Sequence, residues 1–151
     1  VMAAIAGLAT EFADIAFLFP VHLNPNVRGV AKRFLGGLKN VHLCEPLDYG
    51  PFAHLLQACH FVMTDSGGIQ EEAAELGKPV LVMRRKTERN EGISAGTASL
   101  VGVDPGTIQH QARNLLNDSA FYRKAAIPAR VYGNGTTALE IANILETELK
   151  P

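Results

Sequence analysis

Three observations predict an α/β domain built on a parallel sheet. Short apolar runs at 15–19, 41–43, 61–63 and 80–83 alternate with stretches of helical periodicity. Strands separated by single helices imply βαβ units, whose right-handed crossovers make the strands parallel. One junction carries a glycine pair, Ser66-Gly67-Gly68, directly after an apolar run and directly before an amphipathic stretch. The expectation is one Rossmann-like domain, a parallel sheet flanked by helices, with its ligand outside the carboxyl ends of the strands.

Each element follows from the local pattern. Val1 to Phe12 reads as helix. It begins without a cap, and its apolar start lacks the basic flank and cleavage site of a signal peptide, which predicts a truncated chain. Ile15 to Phe19 reads as a buried strand ended by Pro20, and Asn24-Pro25-Asn26 as a loop. A helix over Val27 to Leu35 is closed by Gly36-Gly37. Val41 to Leu43 is a strand, Tyr49 to Ala58 a helix, and Phe61 to Met63 the next strand. Ile69 to Leu76 is a helix with Gly77 as its C-cap. Val80 to Met83 is a strand, Arg84 to Gly92 a charged loop, and Ala98 to Val101 a last short strand. Helices over Pro105 to Leu116, Ser119 to Ala125 and Thr136 to Leu149 complete the chain.

Composition narrows the function. With 151 residues, 47% of them hydrophobic, the chain is the size of one domain with a real core. A formal net charge of −1 argues against a nucleic-acid or anionic-membrane surface. No apolar run approaches the roughly 20 residues of a transmembrane helix. The two cysteines, Cys44 and Cys59, have neither metal-ligand nor redox spacing. They read as buried free thiols, which fits a reducing cytosol. No metal or cofactor is expected.

The glycine turn is the leading candidate site. An order of strand, glycine turn and helix aims free backbone N–H groups and a positive helix end at the sheet edge, where phosphates bind. Glycines let the backbone approach a phosphate, and Ser66 can donate its hydroxyl; the competing reading of Ser66 is a plain N-cap. A catalytic serine is disfavoured, because Thr64 and Ile69 break the chymotrypsin-type pattern and the fold pattern is wrong for it. Glu71 is accounted for as a first-turn acid complementing the helix dipole. Glu72 lies beside an apolar stripe of Ile69, Ala73 and Leu76, where a carboxylate needs hydroxyl donors or water. A ribose supplies two vicinal hydroxyls, and that assignment is favoured over a solvated acid. The run from Arg84 to Gly92 is either a solvated turn or the source of an Arg that neutralises a diphosphate. His22 reads as a ligand contact or a surface imidazole, and Phe52 as a base-stacking or a core aromatic. No carboxylate pair with a His stands on the ligand-facing loops, so no catalytic residue is assigned.

In combination these segments are more specific. Pro20-Val21-His22-Leu23-Asn24-Pro25-Asn26-Val27-Arg28, then Thr64 to Glu72, Leu76-Gly77-Lys78-Pro79-Val80-Leu81-Val82, Thr87-Glu88-Arg89 and Glu91-Gly92 occur in this order. They closely resemble the non-hydrolysing bacterial UDP-N-acetylglucosamine 2-epimerases, from about Ile15 to the C-terminus. The resemblance implies the C-terminal, UDP-binding half of the two-domain fold called GT-B, covering 1–151, with the N-terminal domain absent. It implies that Ser66, Gly67 and Gly68 bind the diphosphate and that Glu72 grips the ribose. It further implies that Phe52 lines the uracil pocket, that Arg89 belongs to the substrate site, and that His22 binds a second, activating UDP-N-acetylglucosamine. The family removes the proton at sugar C2, expels UDP to give a 2-acetamidoglucal, then reprotonates C2 on the other face and adds UDP back. Its acid/base groups come from the N-terminal domain and from a His-Arg-Arg-Glu segment that would lie upstream of Val1. The fragment alone is therefore expected to be inactive, and the full-length protein a cytoplasmic homodimer serving polysaccharide biosynthesis.

The sequence also departs from the family pattern. Arg85-Lys86 stands where Asp-Thr is usual, Asn90 and Ala74 stand where Pro is common, and Arg130 to Gly135 stands where Asn-Pro-Tyr-Gly-Asp-Gly is typical. These changes leave open a substrate that is a modified UDP-amino sugar. A GT-B glycosyltransferase donor domain and a non-catalytic nucleotide-sugar sensor share the same features.

Overall fold

Polar caps and prolines set the starts of several helices. Asn24 accepts from the Asn26 amide with Pro25 in the first turn, and Asp104 accepts from the Thr107 amide with Pro105 following it. Asp118 accepts from the amides of Ala120 and Phe121. The computed structural model describes residues 1–149. In chain order it contains α1 (Met2–Glu11), β1 (Phe17–Pro20), α2 (Pro25–Leu35), β2 (Val41–Cys44), α3 (Tyr49–Ala58) and β3 (Val62–Thr64). There follow α4 (Gly67–Glu75), β4 (Val80–Val82), α5 (Asn90–Ser94), β5 (Ala98–Leu100), α6 (Pro105–Asn117), α7 (Ser119–Ala125) and α8 (Thr137–Glu148).

All strand pairs are parallel, as the βαβ pattern requires, and they fall into two ladders. β1 pairs with β2 in the register Phe17↔Val41, and β3-β4-β5 form a three-stranded sheet with Val62↔Val80 and Val80↔Ala98. β4 is central and buried at every residue. Its Leu81 packs with Ala4, Leu8, Val101, Ile108, Ala112 and Leu115 between α1 and α6. Val80 and Val82 point to the opposite face, against Ala73 of α4 and Ala98. A third cluster of Ala9, Leu35 and Val41 joins α1 and α2 to the two-stranded ladder.

Several expectations are corrected in detail. β1 is not a fully buried strand, since Leu18 is 44% exposed. It ends at Pro20, as expected, and Pro20 itself still pairs with Cys44. The reason lies in strand alternation: Phe17 and Val21 donate toward β2, so the position of Pro20 faces away and its missing N–H leaves the ladder intact. The expected loop 24–26 is the cap and first turn of α2, and the charged loop after β4 folds into α5 at its end. Gly77 does cap α4 at φ +65°, and a Cβ there would meet Pro128 at 2.9 Å. The thiols of Cys44 and Cys59 are free but half-buried rather than buried. Burial raises the Cys59 pKa, partly offset by Lys78. No helix among the described residues is long and apolar enough to cross a membrane, and none of their acidic, His and Cys side chains cluster for a metal.

Candidate functional site

The turn between β3 and α4 stands at the carboxyl end of the three-stranded sheet. Thr64, buried at the end of β3, accepts the Ser66 amide on its hydroxyl at 3.0 Å and so folds the chain out of the strand. Ser66 occupies the N-cap position with extended backbone, yet its side chain makes no capping bond. Ser66 is thus the N-cap by its backbone, with a hydroxyl not committed to capping. The amides of Gly67, Gly68 and Ile69 open the helix and have no intrahelical partners, so they remain available to an anion.

Helix α4 is turned differently from the expected stripe. Its buried face is Gln70, Ala73 and Ala74, while Leu76 is 37% exposed. The rotation has two causes. Ala73 packs on Val80 and Val82 of β4, and the chain returning from α7 reaches the same helix, donating from the Ala129 amide to the Ala74 carbonyl. Glu72 stays half-buried at the border of this face, and its carboxylate has no hydrogen bond or ion pair among the described residues. It lies six residues past Ser66, roughly 9 Å along the helix axis.

The loop after β4 delivers Arg89 to the turn. A Cβ on Gly67 would stand 3.3 Å from its guanidinium carbon and 3.3 Å from Glu88 Oε1, so a larger residue there would push both side chains outward by a few tenths of an ångström. Arg89 Nε donates to Glu71 Oε1 at 2.5 Å, and Arg89 also pairs with Glu88 at 3.2 Å. The bond to Glu71 raises the Arg89 pKa, so this cation is permanent. A backbone hydrogen bond and the Arg84 guanidinium hold the Glu88 carboxyl below its ordinary value. Glu71, expected only to complement a dipole, thus orients the arginine. Arg85 and Lys86 are exposed and make no ion pair among the described residues.

Tyr132 is a second unanticipated member. Its hydroxyl accepts from the Gly92 amide at 3.0 Å and donates to the Arg89 carbonyl at 3.4 Å, tying the start of α5 to the segment 130–135. Burial raises the pKa of this phenol. A concavity of about 350 Å³ between α4 and the segment 130–135 is lined by Glu71, Glu75, Arg130 and Tyr132. Glycine and aromatic residues at 132–135 were the visible signal of a shaped loop there.

The remaining candidates sit on neighbouring loops. Phe52 is in the first turn of α3, half-buried, and outside the three core clusters. His22 is exposed after β1, and its Nδ1 accepts from the Asn24 amide at 3.1 Å, fixing the ring at the entrance to α2. The structure thus brings Arg89 and Glu71 directly onto the Ser66-Gly67-Gly68 turn.

Fold and turn together define an α/β domain with a helix start that carries no side-chain cap at the switch from strand to helix. The sequence profile of UDP-N-acetylglucosamine 2-epimerase matches residues 1–146. A probable UDP-N-acetylglucosamine 2-epimerase of Ralstonia nicotianae is 47% identical over 146 residues, which is 97% of this chain and 39% of that protein. The crystal structure of UDP-GlcNAc 2-epimerase from Neisseria meningitidis bound to UDP-GlcNAc superposes with a TM-score of 0.94 at 41% identity, over 97% of this chain and 40% of that one. The glycosyltransferase SnogD from Streptomyces nogalater shares the fold at a TM-score of 0.57 and 24% identity, over 94% of this chain and 40% of that one. The chain belongs to the UDP-N-acetylglucosamine 2-epimerase family and has the GT-B type of α/β architecture. It spans about 39% of the length of the relatives it matches.

Proposed function

We propose that this chain is the C-terminal, UDP-binding half of an enzyme that interconverts UDP-N-acetylglucosamine and UDP-N-acetylmannosamine. Residues 1–151 form one nucleotide-binding domain, and the N-terminal domain of the enzyme lies outside the chain. The amides opening α4 and the Ser66 hydroxyl hold the diphosphate, Arg89 neutralises it, Glu72 accepts from the ribose hydroxyls and Phe52 flanks the uracil. His22 contacts a second nucleotide sugar. The reading is supported by family membership and by relatives crystallised with UDP-GlcNAc, or with UDP-GlcNAc and UDP.

The observation that carries it is an uncapped N-terminus with a permanent cation held above it. Loss of the C2 proton and cleavage of the sugar C1–oxygen bond release UDP with its charge; a proton delivered to the other face of C2 and the return of UDP to C1 complete the epimerisation. What this domain supplies is retention of the departing diphosphate by preorganised amides and a fixed guanidinium. The acid/base groups at C2 belong to the absent domain, so the chain binds UDP and does not turn over. Binding is weaker than in the whole enzyme, because one wall of the cleft buries less of the ligand. The complete protein is a cytoplasmic homodimer.

An NMR titration of the 151-residue chain with UDP tests this reading. Amide shifts concentrated at 66–72 and 89 are expected; shifts confined to other segments would refute it. Addition of UDP-N-acetylglucosamine should give no UDP-N-acetylmannosamine, and clean turnover would refute the division of labour.

A further inference from the structure

Gln70 is the polar side chain most deeply buried in the molecule's candidate site, fully inaccessible on a helix face otherwise made of Ala73 and Ala74. Burying an amide is costly unless both of its ends are satisfied, and here they are. Its Nε2 donates to the Ser66 carbonyl at 3.1 Å, and its Oε1 accepts from the Thr87 hydroxyl at 3.0 Å. Thr87 Oγ1 in turn accepts from the Arg89 amide at 3.1 Å. The hydroxyl has one proton and commits it to Gln70, which leaves lone pairs for the Arg89 N–H. The direction of every bond is therefore fixed. A continuous relay runs from the backbone of the glycine turn, through Gln70 and Thr87, to the backbone of the arginine whose side chain returns to Gly67 and Glu71.

We propose that Gln70 and Thr87 are positioning residues that set Arg89 over the start of α4, and that they act on the diphosphate of a nucleotide only through that arginine. The inference rests on the UDP-binding reading above and deepens it. Neither side chain needs to touch the ligand. Arg89 hangs from a loop whose flanking Arg85 and Lys86 are solvent-exposed, so without the relay its backbone would be held by the Tyr132 hydroxyl and its guanidinium by Glu71 and Glu88. A charge placed on a fixed backbone is preorganised, and losing that order lowers affinity even when the charge survives.

The test is calorimetry of UDP with the 151-residue chain carrying Thr87→Val, Thr87→Ser, Arg89→Ala, or Thr87→Val with Arg89→Ala, each checked for an unchanged thermal transition. Thr87→Val keeps the side-chain shape and removes the hydroxyl, whereas the more deeply seated Gln70→Leu serves as the companion variant. Arg89→Ala is expected to weaken UDP by on the order of tenfold or more, as for a lost charge-assisted bond. Thr87→Val should weaken it several-fold, Thr87→Ser should restore it, and Thr87→Val should cost nothing further once Arg89 is gone. Wild-type affinity in Thr87→Val beside a clear loss in Arg89→Ala would overturn the relay while leaving the UDP site intact. An equal cost of Thr87→Val with or without Arg89 would overturn it as well, because the effect would then be generally structural. If neither Arg89→Ala nor Glu72→Ala changes UDP binding, the nucleotide reading itself falls and takes the relay with it.

Discussion

The two parallel ladders of this chain are built from similar residues and held very differently. β4, in the three-stranded ladder, is buried at all three positions, with α1 and α6 on one face and α4 on the other. β1, in the two-stranded ladder, leaves Leu18 exposed, and His42 of β2 is exposed beside it. The difference teaches where precision is available. The glycine turn, Gln70 and Arg89 are anchored on the enclosed ladder, where neighbours fix rotamers, whereas His22 follows the open one. Sites that must hold charge at fixed geometry benefit from the first kind of support.

The comparison can be broken most forcefully in the cores. Leu81 is 1% exposed at the centre of the main cluster. Leu81→Ala is expected to cost about 2–5 kcal/mol of stability, as for other large-to-small core changes. Leu18→Ala, on the open ladder, should stay within about 1 kcal/mol. Urea unfolding of both variants checks this; equal losses would mean the ladders are supported alike.

A smaller effect is expected where the open ladder is tied down. Asn40 Nδ2 donates to the carbonyls of Ala9, Phe12 and Ile15 at 2.9–3.0 Å, closing the end of α1 over the start of β1. Asn40→Ala removes the side-chain donor from the Ala9 and Ile15 carbonyls, while the Phe12 carbonyl keeps the Ile15 amide, and should cost about 1–3 kcal/mol. Amide exchange should then quicken in β1 and β2 more than in β4; uniform acceleration would show that the tie serves the whole fold.

The smallest effect is electrostatic. Glu11 accepts a bidentate pair from Arg113, joining α1 to α6, and that hydrogen bonding lowers the Glu11 pKa. A depressed folded-state pKa means the contribution is complete above the ordinary Glu value of 4.5 and disappears as pH falls through the lower folded value. Glu11→Gln should therefore lower the neutral plateau slightly, by little because the pair is exposed, and leave the acid end unchanged, so that the slope between them flattens. A steeper acid limb in the variant would contradict the assignment.

Most of the secondary structure was legible because apolar runs of three to five residues alternate with helical stretches, and because Asn24, Asp104 and Asp118 supply cap chemistry in the sequence. The turn at 66–68 was legible for the same reason, since its glycines sit between a strand and a helix. Other features were hidden by specific physics. Helix α5 holds a glycine at its centre and no apolar stripe, and it is met by Ile93 packing on the β4 cluster and by the bond from Gly92 to Tyr132, 40 residues away. Gln70 was hidden because a polar residue counts against an apolar face, although spacing 70, 73, 74, 77 is a helical stripe. The role of Glu71 depends on where the Arg89 loop lands, which no local pattern encodes. The division into two ladders was equally silent, because each strand reads the same whichever neighbour it pairs with.

The central claim is that the amides opening α4 receive a pyrophosphate and Glu72 receives the adjoining ribose. Calorimetry of UDP against the chain and its Glu72→Ala variant tests it most directly. The account predicts measurable UDP binding that weakens in the variant by about 1.5–3 kcal/mol, the worth of hydrogen bonds to a charged group. Identical UDP affinity in the two proteins would contradict it.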